Sequence, residues 1–167
     1  MSDQSLSTEQ ILGMLAAAPP RLAELSAGLT AAQLRTAPAA GEWSANEVLA
    51  HMRSCADMWG DCMAAILAGA PTLRAVNPRT WIERTDYLDQ EFGASLEAFA
   101  VQRRSLLAVL EPLTPAAWSR EATVTGAGKP LTRSVLFYAR WLATHERPHL
   151  KQIARVVNTL RQTAPER

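Results

Sequence analysis

The chain has 167 residues, the size of one domain with room for a core that needs no staples. Hydrophobic residues make up 48% and charged residues 20%, which excludes a disordered chain, and no apolar run is long enough to cross a bilayer. A formal net charge of +1, with no basic stripe, argues against nucleic acid as a partner.

The polar first residues lack the basic start of a signal peptide, so the expected location is the cytoplasm. A single domain over 1–167 is expected, with its core at about 8–162. In the first helix, Ile11, Leu15, Ala18, Leu22, Leu25 and Leu29 recur at spacings of three and four, the mark of a core-facing stripe. Pro19 and Pro20 fall inside it and predict a kink or break. A short turn is expected at 31–35.

The second helix has a clear start. Ser44 is a good cap and Glu47 completes a capping box, with Trp43 and Val48 placed to staple the entry. Val48, Met52, Cys55, Trp59, Cys62 and Ile66 predict its buried face, and Gly69 and Pro71 its end. Cys55 and Cys62, two turns apart on one helix, sit about 10 Å apart, too far for a disulfide. They read as reduced thiols.

Residues 69–85 form a long connection containing Pro71, Pro78 and Trp81, and connections this long are often functional. The third helix is expected from about 86 to 110, with Leu88, Phe92, Leu96, Phe99, Leu106 and Leu110 inward. Thr114 and Pro115 predict a short helix through Trp118. A loop over 119–130 follows, with a short extended piece at Val124. The fourth helix is expected from about 132 to 162. Four long amphipathic helices imply an all-α four-helix bundle with long crossover connections.

The chain has three histidines. His145 and His149 are four apart on a helix, so they share one face and can meet one metal ion. They also fall on the core stripe Leu142, His145, His149, Ile153, Val156 and Leu160, and metal sites in bundles are built in the core. His51, on or beside the buried face of the second helix, can face them. The bland alternative is a set of core histidines with hydrogen-bond partners. The run also spells His-Glu-x-x-His, the zincin pattern. Pro148 interrupts it and only Glu166 follows as a third ligand, so the peptidase reading is set aside.

The segment from Gly41-Glu42-Trp43-Ser44 through His51-Met52, paired with His145-Glu146-Arg147-Pro148-His149-Leu150-Lys151-Gln152-Ile153, resembles the DinB/YfiT-like superfamily over nearly the whole chain. The resemblance implies a four-helix bundle binding one divalent metal, zinc or nickel, through His51, His145 and His149. It implies a small-molecule substrate, and either metal-dependent hydrolysis or transfer of a low-molecular-weight thiol such as bacillithiol. It also implies a homodimer, for which Val101 and Leu136 are apolar residues to spare.

Around that site the sequence offers weaker candidates. Glu146 is a candidate base by analogy with zincins, but it points about 100° away from its neighbour His145, and a solvated or ion-paired Glu is the plainer reading. Cys55 is a fourth ligand, a redox thiol or a buried structural cysteine. Asp57, Tyr138 and Arg140 are candidates to line the pocket, and Arg53, Arg140 and Arg147 to hold a charged thiol. Gln152 reads as a donor behind the ligands or as a polar cap on the core. Trp81 is the tryptophan expected to touch a ligand. The rival to an enzyme is a binding or stress-response module whose metal is structural or absent.

Overall fold

The computed structural model describes residues 5–163; the expected domain limits and Glu166 extend outside them. Helix α1 (Thr8–Ser26) starts on a capping box between Ser7 and Gln10. It continues through Pro19 and Pro20 without the break expected as one outcome there. Pro19 cannot donate to the Leu15 carbonyl. That carbonyl instead accepts from Arg103 Nη1 at 2.7 Å, a side chain standing in for the missing N–H.

Helix α2 (Ala31–Leu34) is the expected short turn, and α3 (Ala45–Leu67) begins on the predicted Ser44–Glu47 capping box. The α3 face is buried at Val48, Met52, Cys55 and Ile66. The crossover after α3 is more ordered than a loop. It holds strand β1 (Thr72–Arg74), helix α4 (Pro78–Trp81) and a 3₁₀ turn (Ile82–Arg84).

Helix α5 (Phe92–Leu110) starts later than expected, and Leu88 is 45% exposed rather than inward. Residues of α3 explain the delay. Buried Asn46 donates Nδ2 to the Gln90 carbonyl at 3.0 Å, and Arg53 donates Nη1 to Gln90 Oε1 at 2.7 Å. The segment is thereby pinned as a turn, and satisfying buried polar groups outweighs the few tenths of a kcal/mol that helix propensity offers. Phe92, Phe99, Leu106 and Leu110 face the core as predicted.

Helix α6 (Pro115–Trp118) leads into a hairpin of β2 (Glu121–Thr125) and β3 (Leu131–Ser134). The extended piece expected at Val124 is thus part of a small sheet, ordered β1-β2-β3, with β1 parallel and β3 antiparallel to β2. Val124 pairs with Leu73 on one side and Leu131 on the other. Residues 132–134 belong to this sheet, so the last helix, α7 (Val135–Thr163), starts later than expected. It is continuous through Pro148. The carbonyl that this proline frees belongs to Thr144, an exposed residue, where solvent can serve it.

The long helices α1, α3, α5 and α7 enclose one core, with Leu15, Leu22, Met52, Phe99, Leu142 and Ile153 among its fully buried side chains. Each such side chain contributes roughly 1.5–3 kcal/mol. Helix α4 packs on α3, and β3 on α7. Of the two residues expected to be spare, Val101 is exposed, whereas Leu136 packs against the core. No helix is long and apolar enough to cross a membrane among the described residues.

Candidate metal centre

His51 comes from the second turn of α3, and His145 and His149 from adjacent turns of α7. The three imidazoles converge, with ring centroids 4.6–5.2 Å apart. His145 Nε2 lies 3.4 Å from His51 Nε2 and 3.3 Å from His149 Nε2. Metal–nitrogen bonds of about 2.0–2.1 Å at tetrahedral angles give a nitrogen–nitrogen edge of about 3.3–3.4 Å. The two spacings at His145 match that edge and are longer than a usual hydrogen bond between rings. Taken together, the three ligand atoms lie within 4.8 Å of one another.

The surroundings suit neutral imidazole. Burial, then the neighbouring His149, lowers the pKa of both His51 and His145 to about 4, with Arg79 adding to the effect on His51 and His51 to that on His145. At neutral pH both rings keep the lone pair that a metal needs. His149 Nδ1 donates to Gln152 Oε1 at 3.1 Å, which keeps the ring proton on Nδ1 and leaves the Nε2 lone pair free. Gln152 thus acts behind a ligand, as an acceptor rather than the expected donor. His145 Nδ1 is buried and has no partner among the described residues. Trp43 stands edge-on to His51 at 5.5 Å, and Trp59 edge-on to His145 at 4.9 Å. These rings wall the cluster. Beside it opens a cavity of about 230 Å³ lined by Trp43, Glu47, His51, Arg79, Ile82 and Leu88.

The other sequence candidates fall elsewhere. Glu146 is buried, about 100° around α7 from His145, in a two-pronged ion pair with Arg103. It is neither solvated nor aimed at the histidines. Cys55 Sγ lies 3.6 Å from His51 Nε2 and 4.0 Å from Nδ1. Those two distances put the sulfur beside the ring rather than beyond Nε2, and Cys55 is fully buried with its thiol pushed up to about 12 by burial and Glu146. It reads as a structural thiol.

Asp57 accepts from the Tyr87 hydroxyl at 2.5 Å, and Arg53 lies 3.7 Å under the Tyr87 ring. Both are spent fastening the crossover to α3. Tyr138 and Trp81 line a second cavity, of about 340 Å³, whose wall includes Trp59. Arg140 is half-buried and Arg147 exposed, and neither lines a cavity at the histidines. Sequence reasoning passed over Arg79 and Arg103, and read Trp59 only as part of the buried face of its helix. For Arg79 the available signal was the Asn77-Pro78 helix start, which fixes the backbone beneath it.

A four-helix bundle with an imidazole cluster between its second and last long helices defines a class of metal-site bundles. The chain belongs to the DinB superfamily, whose family model matches residues 14–153. Among solved structures it is similar to YfiT from Bacillus subtilis, with 19% identity and a TM-score of 0.71 over 95% of this chain and 93% of that one. That structure is described as a probable metal-dependent hydrolase with an unusual four-helix bundle topology. No curated protein matches the chain.

Proposed function

We propose that this protein is a metal-dependent enzyme acting on a small molecule, with His51, His145 and His149 as the ligands of one zinc or nickel ion. The observation that carries the reading is the pair of Nε2 spacings, 3.3 and 3.4 Å, at the edge length of a tetrahedral site. When bound by three neutral imidazoles, such an ion supplies an open position that acidifies a nucleophile and polarises a carbonyl.

The chain's own residues set the rest. Gln152 holds the His149 tautomer, Trp43 and Trp59 pack edge-on against His51 and His145, and the cavity beside His51 admits the substrate. Hydrolysis is the leading reaction class, in line with the description of the structural neighbour. Transfer of a low-molecular-weight thiol such as bacillithiol is the second reading, and one observation favours it. The carboxylates near the ligands are already engaged, Glu146 by Arg103 and Glu47 by the Ser44 backbone N–H at 2.7 Å. A thiol can shed its proton on meeting the metal and needs no separate base. We also propose a cytoplasmic location, which the free thiols of Cys55 and Cys62 suit, and self-association as a homodimer.

Elemental mass spectrometry on protein purified without a histidine tag or chelator tests the site. The expected result is about one zinc or nickel per chain, lost in both His51→Ala and His145→Ala. A parent that carries no metal and takes none up on addition of zinc or nickel would sink the reading. If His145→Ala lowered thermal stability but left turnover intact, the metal would be a brace in a binding module instead.

A further inference from the structure

We propose that Arg79 binds a carboxylate of the substrate beside the histidine cluster; this rests on the metal-site reading above. The side chain sits on α4, in the crossover that packs on α3, and it lines the same 230 Å³ cavity as His51. Its guanidinium is close enough to add, after burial and His149, to the lowering of the His51 pKa.

Arg79 is exposed and takes part in neither ion pair found among the described residues, Arg21–Glu24 and Arg103–Glu146. Glu47, the one acid in the cavity wall, is committed to the α3 cap. The backbone under Arg79 is fixed, since Asn77 Oδ1 accepts from the Arg79 N–H at 2.9 Å and the Asn77 carbonyl from the Trp81 N–H at 3.0 Å. The remaining wall is apolar: Trp43, Ile82 and Leu88.

A free guanidinium over an apolar floor is a carboxylate receptor. Its planar fork matches the two oxygens of one carboxylate in two parallel charge-assisted bonds. A phosphate dianion would call for a second cation, and the cavity offers none. The substrate class is therefore a small molecule whose carboxylate lies a few bonds from the group that meets the histidines. The cations expected from sequence do not serve, because Arg53 is buried on Gln90 and Ser95, and Arg140 and Arg147 lie outside this cavity.

The test uses the whole chain loaded with cobalt(II), whose thiolate absorption band reports a ligand at the metal. Two probes of equal shape differ only in charge: 3-mercaptopropionate and 3-mercaptopropionamide. The parent should bind the carboxylate about five- to tenfold more tightly than the amide. Arg79→Gln should erase that preference and Arg79→Lys keep part of it, with helicity by circular dichroism unchanged in both. Equal binding of the two probes by the parent, or a preference that survives in Arg79→Gln, overturns the proposal. If neither probe perturbs the cobalt spectrum, the open metal position itself is refuted, and the Arg79 proposal with it.

Discussion

At the scale of single residues, the histidines make the metal-free protein acid-sensitive. Folded, His51 and His145 have pKa values of about 4, whereas in the unfolded chain each titrates near its ordinary 6.5. As pH falls from 6.5 the unfolded chain takes up protons that the folded one refuses, so acid favours unfolding. The stability is complete above about 6.5 and is lost on the way down through about 4. Denaturant midpoints measured in chelator should therefore drop across that window, and less so in His51→Ala and His145→Ala; equal slopes in all three proteins would refute the assignment. Spacing alone puts His145 and His149 on one face, whereas His51 joins them only through what the family resemblance implies. Arg103 was not legible, because an arginine on an apolar stripe reads as a surface residue. The signal lay in another helix, where Pro19 frees a buried carbonyl that needs a donor.

At the scale of elements, Arg103 ties three helices at one point: it stands on α5, pairs with Glu146 of α7 and serves the Leu15 carbonyl of α1. Arg103→Met strands a buried carboxylate, which costs about 3–5 kcal/mol. Pro19→Ala restores the N–H that the Leu15 carbonyl lacks. In the parent that N–H competes with Arg103, but in the Arg103→Met background it fills a gap. A double-mutant cycle read by denaturation should then show Pro19→Ala giving about 1 kcal/mol more in the variant than in the parent. Equal effects in both backgrounds would mean the carbonyl was never Arg103's charge. Helix starts were legible from caps such as Ser44 and Thr114, whose side chains are the local cause. The late start of α5 and the sheet were not. Asn46 and Arg53 act on residues about 40 positions away, and strands of three to five residues pair across the chain with little alternation to betray them.

At the scale of the whole molecule, the site joins α3 to α7, with the crossover residues Arg79 and Ile82 lining the cavity beside it. Without a metal this junction is a liability, since the half-buried rings resist protonation and His145 Nδ1 lacks a partner among the described residues. With a metal it becomes a clamp, because an ion that binds only the folded chain stabilises it by mass action. The two states thus differ in sign for the same side chains. Zinc at a hundred times its dissociation constant adds about 2.7 kcal/mol. For a chain of this size that raises Tm by about 5–10 °C. His145→Ala should show no such rise, and its metal-free form at pH 5 should melt no lower than the metal-free parent, because the liability goes with the ring. Calorimetry with and without zinc on both proteins separates the contributions. A variant that melts well below the parent without metal would make His145 a packing residue. A zinc shift that persists in it would move the ion to other ligands.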